Sequence, residues 1–174
     1  KSYLAQIGIQ QGVERSSWSL DMQDFQPLLV APAIENIGHD FSRRTVLFVG
    51  QLIPRKGVLS LLEAWKKLPL TIRHQSSLLL IGDGPLKEQI IAFIHAQALD
   101  EVTILGQLSY AKVRDLLCHS NLFVLPTLED LFSLTVLEAM ACGCAVITTP
   151  FNGARELVDD GRTGWIVDPT QPGA

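Results

Sequence analysis

The chain has 174 residues, 47% of them hydrophobic and 18% charged, with a formal net charge of −4. That length supports one substantial core, and an acidic balance in which no Lys/Arg cluster exceeds a pair argues against nucleic acid as a ligand. No apolar run reaches the roughly 18 residues of a membrane span and no signal peptide is visible.

Residues 1–44 have mixed polarity, a proline-containing middle at Pro27 and Pro32, and no sustained periodicity, so they read as a lead-in or linker. The chain starts at Lys1 rather than Met, and the expectation is that an N-terminal region precedes it, together with any localisation signal. Order is expected over residues 45–174. TVLFVG is a nearly continuous apolar run ending in Gly50, the pattern of a parallel strand covered on both faces. GVLSLLEAWKKL follows, with Val58, Leu61, Leu62 and Trp65 at helical spacing and its lysines in the last turn. SLLLIG is a second strand, GDGP a turn whose Asp83 is placed to cap the next helix, and LKEQIIAFIHAQAL that helix, with Pro85 near its first position. VTIL ending at Gly106 precedes a helix over about residues 109–118, with Ser109 as its cap. NLFVLP, the helix LTVLEAMA, CAVITTP, a short helix near residues 154–158 and GWIVDP complete the run.

About six strands, each but the last followed by a helix, spell a doubly wound, Rossmann-like α/β fold with a parallel sheet. Right-handed crossovers put every strand-to-helix loop on one edge of such a sheet. Residues 50–56, 82–85, 106–109, 126–133 and 150–152 therefore line the carboxyl edge, where these sheets bind ligands.

Within that frame, residues 131–149 contain a single charged side chain, Glu138, in a helix-and-strand segment that reads as buried on both sides. An unpaired carboxylate there is costly, so it needs a partner. Two roles are open: Glu138 closes a structural network with Asp130 or Ser133 capping the helix, or it meets a ligand. Arg55 and Lys56 stand just before a helix that opens at Gly57, and helix N-termini favour anions. The helix that begins near Ser133 offers further unpaired amides beside the Ser133 and Thr135 hydroxyls. Two such termini and a basic pair on one edge suit a diphosphate, and Glu138, one turn in, can accept from two sugar hydroxyls at once. Cys118, Cys142 and Cys144 have neither disulfide nor CxxC arithmetic and read as small core residues in a reducing compartment. The four histidines lack ligand spacing, so no metal site is expected. GxGxxG, GxxxxGK[ST] and GxSxG are all missing, against a dinucleotide fingerprint, a nucleoside triphosphatase and an α/β-hydrolase.

VGQLIPRKG (49–57), LLLIGDGPL (78–86), VTILGQLSYAKV (102–113), NLFVLPT (121–127), DLFSLTVLEAMACG (130–143) and GARELVDDGRTGWIVDP (153–169), in this order and spacing, resemble the group 1 family of retaining glycosyltransferases, in the C-terminal, donor-binding half of its GT-B fold. The resemblance runs over residues 3–169. It implies metal-independent transfer of a sugar from a UDP-, GDP- or ADP-sugar in a cleft between two Rossmann-like domains, with no cofactor. The acceptor site lies in an N-terminal domain that this chain lacks, so the chain alone is expected to bind nucleotide and transfer little or nothing. Membrane contact would come only through that absent region, and the implied location is cytoplasmic.

Residue by residue, the resemblance makes Glu138 the second acid of the family's acid-x7-Glu motif, the one that binds the ribose hydroxyls of the donor. Asp130 takes the place of the first acid, usually Glu and close to the donor sugar, and Glu129 is its neighbour. Lys56 matches the lysine that holds the diphosphate. The usual arginine after the first strand is Gln51 here, with Arg55 as the nearby cation. A glycine-containing turn reads Leu131, Phe132, Ser133, which with Leu134 and Thr135 complete the expected donor-contacting set. These departures keep two alternatives in view: a catalytically silent nucleotide-binding or regulatory module, and another GT-B chemistry such as epimerisation of a nucleotide sugar, which the acid-x7-Glu spacing disfavours.

Overall fold

The computed structural model describes residues 41–171. Residues 1–40, which hold most of the expected linker, lie outside the described residues.

Six runs of apolar sequence form six strands: β1 (Arg44–Val49), β2 (Ser76–Ile81), β3 (Val102–Gly106), β4 (Leu122–Val124), β5 (Ala145–Thr148) and β6 (Gly164–Ile166). All pair in parallel, in the order β3-β2-β1-β4-β5-β6. This is the doubly wound arrangement that the strand and helix alternation predicts. β1 and β2 pair over their whole length, from Arg44 opposite Ser76 to Val49 opposite Ile81. β2 is buried at every position, which is why its sequence shows no polar alternation.

Between the strands run α1 (Val58–Lys67), α2 (Leu70–Arg73), α3 (Lys87–Ala96), α4 (Tyr110–Cys118) and α5 (Leu134–Ala141), with 3-10 turns at Pro54–Lys56 and Gly153–Leu157. α1 buries Val58, Leu61, Leu62 and Trp65, the residues read at helical spacing. Leu116 and Leu117 of α4 and Val136 and Ala139 of α5 close over Leu47, Phe48, Leu79, Phe123 and Val146 of the sheet. Each buried leucine, valine or phenylalanine here contributes about 1.5–3 kcal/mol relative to exposure. The element expected near residues 154–158 is the 3-10 turn Gly153–Leu157, tightened because the Asn152 carboxamide oxygen accepts from the Ala154 amide at 3.0 Å.

One element has no counterpart in the sequence reading. α2 follows Pro69 at its N-cap and runs four residues with its polarity inverted: Leu70 and Ile72 are exposed while Arg73 is buried. Arg73 Nε donates to Glu101 Oε1, and Trp65 Nε1 donates to the same oxygen at 3.2 Å. Burial pushes the Glu101 carboxyl up, but the bonds from Arg73, the backbone and Trp65 outweigh it and hold it below the usual glutamate range. Among the described residues Glu101 is the one Asp or Glu that is buried from solvent, and it lies just before β3, away from the site described next.

Candidate functional site

The strand order reverses between β1 and β4, and a crevice at such a switch point is where open α/β sheets take ligands. The loops leaving these two strands are laced together by backbone. Gly57, in the left-handed region at φ 71, closes the 3-10 turn Pro54–Lys56 by donating to Pro54 O. A Cβ there would lie 2.0 Å from Pro126 O, so only glycine admits this approach. The Arg55 carbonyl accepts from the Leu128 amide at 2.7 Å and from Thr127 Oγ1 at 2.9 Å, and Arg55 Nη1 donates to Glu129 O at 3.2 Å.

This lacing brings Lys56 Nζ to 2.5 Å from Asp130 Oδ2, with the two side chains only 14% and 13% exposed. The loop after β5 fixes the acid from the other side. The Asp130 amide donates to Phe151 O, the Gly153 amide donates to Asp130 O, and a Cβ on Gly153 would lie 1.8 Å from Leu131 O. Thr149 Oγ1 adds a 2.6 Å bond to Thr127 O. Asp130 is therefore held through its backbone by the loop after β5, while the loop after β1 holds residues 127–129 just before it and brings Lys56 to its carboxylate.

α5 rises from this loop. Ser133 occupies its N-cap position with extended backbone but caps no amide with its side chain, so the role of helix cap falls to neither Ser133 nor Asp130. Helical spacing puts Leu134 and Glu138 one above the other. Glu138 is half-buried rather than buried, because α5 turns Val136 and Ala139 to the core and leaves Leu134 43% exposed. Leu131, just before it, is 97% exposed. In sequence Glu138 has no polar stripe to sit in, yet this face is open. Burial nonetheless raises the Glu138 carboxyl above its ordinary value, opposed by a hydrogen bond from the Tyr110 hydroxyl at the start of α4.

The remaining expected residues distribute around the same edge. Gln51 and Arg55 are exposed, Phe132 is half-buried against the core, Ser133 is buried and Thr135 half-buried. Glu129 is exposed. Two further cap expectations need correction. Ser109 sits at the N-cap of α4 without a side-chain bond. Asp83 accepts from the Gly84 amide at 2.7 Å and from Lys87 Nζ at 3.2 Å, and α3 begins after Leu86 with no side-chain cap.

The cysteines come together, with Cys118 and Cys142 half-buried and Cys144 buried, so only the last is a core residue outright. Burial and the neighbouring thiols push Cys142 up, and burial pushes Cys144 up to about 12. Both are therefore poor nucleophiles. Among the described residues no three His, Cys, Asp or Glu side chains are set to hold a metal, and no helix is long and apolar enough to cross a membrane.

Residues 33–174 match the family described as glycosyl transferases group 1. The alpha-D-kanosaminyltransferase of Streptomyces kanamyceticus is 32% identical over 136 residues, 78% of this chain and 35% of that protein. Anabaena HepE in complex with UDP and glucose aligns with a TM-score of 0.65 at 26% identity, over 75% of this chain and 36% of that one. The C-terminal domain of a group 1 glycosyl transferase from Francisella tularensis shares the fold at 22% identity, with a TM-score of 0.75 over 88% of this chain and 82% of that domain. The chain spans about a third of the length of the curated relatives it matches. With a match over most of its length and the doubly wound sheet expected of it, the chain belongs to the group 1 glycosyltransferase family.

Proposed function

We propose that this chain is the donor-binding half of a glycosyltransferase that moves a sugar from a nucleoside diphosphate sugar to an acceptor bound by another region of the protein. One observation carries the reading: at the switch point of the sheet, Lys56 and Asp130 are juxtaposed beneath an α5 N-terminus that no side chain caps, with Glu138 one turn further in. A diphosphate at that terminus meets oriented amides and the Lys56 ammonium, and the half-buried Glu138 accepts from the ribose hydroxyls. The UDP and glucose named with HepE support a nucleotide-sugar donor.

In the reaction the anomeric C–O bond to the diphosphate breaks with its electron pair left on the phosphate oxygen. The acceptor hydroxyl forms the new C–O bond and its proton passes to the departing diphosphate. Lys56, Arg55 and the α5 amides stabilise the growing charge of the leaving diphosphate, so side chains and backbone supply what a metal ion would otherwise supply. Asp130 stands beside the sugar, and the family resemblance supports retention of the anomeric configuration. In this reading residues 1–44 join the domain of residues 45–174 to an upstream acceptor domain, and the enzyme works in the cytoplasm.

Calorimetry with UDP, GDP and ADP tests the assignment. At least one is expected to bind, and Glu138→Gln is expected to weaken it; three silent titrations, or an unaffected Glu138→Gln, would sink the donor site. The ion pair favours a second reading, a silent nucleotide-binding module, because Asp130 is engaged by Lys56 and Gln51 brings no charge. Sugar transfer or donor hydrolysis by the full-length protein would remove that alternative.

A further inference from the structure

Thr149 follows β5 and is buried, and its hydroxyl makes two bonds: Oγ1 donates to Thr127 O at 2.6 Å and accepts from the Phe151 amide at 3.2 Å. The Phe151 carbonyl in turn accepts from the Asp130 amide at 3.1 Å. These bonds close a ring. The loop after β4 runs from Thr127 to Asp130, and the turn from Thr149 to Phe151 grips it at both ends, with a single hydroxyl as the link at Thr127. The Asn152 amide shuts the turn on Thr149 O at 3.2 Å, and a parallel bridge pairs Asn152 with Asp130. Asp130 depends on this ring more than a glutamate would. Its carboxylate is one bond from Cβ and has two side-chain torsions rather than three, so a backbone shift passes to its oxygens with little room for correction. The two loops cannot close further, because the backbones already abut: a Cβ on Gly153 would lie 1.8 Å from Leu131 O. Without the hydroxyl the Thr127 carbonyl loses this partner in a buried place, and the turn must move outward to let water replace it.

We propose that Thr149 is a positioning residue for the sugar of the donor: its buried hydroxyl sets the distance between the loops after β4 and β5, and with it the place from which the Asp130 carboxylate reaches the sugar. This rests on the reading of Asp130 as the acid beside the donor sugar and adds to it a residue that acts through Phe151 from the neighbouring strand. The hydroxyl bears on the sugar end of the donor. Lys56 and the α5 amides, which hold the diphosphate in that reading, stand on the 3-10 turn Pro54–Lys56 and on α5, so the diphosphate end changes little when the turn after β5 moves.

The test uses the full-length protein and calorimetry with UDP-, GDP- and ADP-glucose beside UDP, GDP and ADP, read as the ratio between the affinities of each sugar nucleotide and its diphosphate. Thr149→Val keeps the shape and removes the hydroxyl. It is expected to shift that ratio about tenfold against the sugar nucleotide, the worth of one hydrogen bond to a carboxylate, and to leave the diphosphate itself nearly unaffected. Thr149→Ala, which removes the hydroxyl without a methyl in its place, is expected to act in the same direction. Thr149→Ser retains the hydroxyl and is expected to retain the native ratio, and in an Asp130→Asn background Thr149→Val is expected to shift the ratio no further. Trp65→Phe removes the indole bond to Glu101 away from the site, so it is expected to lower Tm with the ratio unchanged and to show what lost stability does by itself. An unmoved ratio in both hydroxyl-free variants, equal losses for sugar nucleotide and diphosphate, a Thr149→Ser that behaves as Thr149→Val, an additive shift with Asp130→Asn, or the same shift in Trp65→Phe would overturn the role. If Asp130→Asn itself leaves the ratio unchanged, or if no sugar nucleotide binds, the donor-site reading of Asp130 fails first and the Thr149 role falls with it.

Discussion

Replacing Lys56 by Met separates two quantities that the ion pair with Asp130 ties together. The substitution keeps the apolar stem, which is 14% exposed, and removes the ammonium 2.5 Å from Asp130 Oδ2. A unit charge about 4 Å from another, at an effective dielectric near 20, feels about 4 kcal/mol of gross attraction. A diphosphate arriving at Lys56 must share that ammonium with Asp130, so we take about half, roughly 2 kcal/mol, as the net loss, or about 30-fold in affinity. The matching nucleoside has no charge to lose and should be held as before. Removing Lys56 also leaves the Asp130 carboxylate, 13% exposed, without its counter-charge. Breaking a pair this enclosed costs about 2 kcal/mol of folding stability, or about 6 °C in Tm for a domain of this size. The double variant Lys56→Met with Asp130→Asn should recover most of that Tm while leaving diphosphate affinity low. Calorimetry with pyrophosphate and the best-bound nucleoside diphosphate, NMR titration of the nucleoside and thermal unfolding read all three effects. Parallel losses for pyrophosphate and nucleoside, or pyrophosphate affinity regained in the double variant, would refute a phosphate role for Lys56.

Two other perturbations address the two acids the fold treats oppositely. Glu138 has its pKa raised by burial, so nucleotide affinity should fall on acidification while the pH is still above the ordinary glutamate value of 4.5, and Glu138→Gln should flatten that profile when binding is followed from pH 7 to 4. The stability sign is the reverse: a raised carboxyl contributes stability that is complete below 4.5 and is lost as pH rises through the folded pKa, so the Tm of the native chain should decline relative to Glu138→Gln over that window. Glu101 is held low by Arg73, which places its contribution above the ordinary 4.5 and removes it as pH falls through the folded value. Glu101→Gln should therefore lower stability by about 3 kcal/mol near pH 7, leaving Arg73 buried without its counter-charge, and by much less in strong acid, as denaturant unfolding at both pH values would show.

The fold was legible because strands covered on both faces must be apolar throughout: SSLLLI is buried at all of its positions and cannot be mistaken for a half-exposed strand. α2 was not legible, since four residues show no helical period and LTIR turns its apolar side chains outward. The status of Glu138 was overstated for a related reason. LTVLEAMA has no polar stripe, but periodicity reports polarity rather than exposure, and Leu131 and Leu134 are apolar residues that stand in the open. Glu101 escaped notice because its sequence neighbours are turn-like, while its partners Trp65 and Arg73 lie 36 and 28 positions away. The cap expectations failed at Ser109 and Ser133 because the right residue type at an N-cap does not fix where its side chain bonds, and at Asp83 because α3 begins after Leu86, three positions further on. Lys56 and Asp130 could each be placed on the carboxyl edge, but their contact across 74 positions needed the strand order, which sets β4 beside β1.

The way the site is held together bears on what its departures from the family pattern can alter. The closest approaches at the switch point are backbone to backbone: Gly57 against Pro126 O and Gly153 against Leu131 O, with the Arg55 and Asp130 carbonyls taking amide protons from facing loops. A side chain at either glycine would push two loops apart, whereas a different side chain at residue 51, 130 or 131 leaves this lacing untouched. Gln51 for a cation, Asp130 for a longer acid and Leu131 for a glycine therefore change the charge, reach and surface of the site on a scaffold that stays the same. Asp130 loses one methylene, about 1.5 Å of reach, relative to Glu. At that length its carboxylate sits on Lys56, so the acid expected at the sugar and the cation expected at the phosphate neutralise each other until a diphosphate competes for the ammonium. In the proposed donor site, donor binding and the freeing of Asp130 toward the sugar would then be a single event, because the same ammonium cannot serve both anions at full strength.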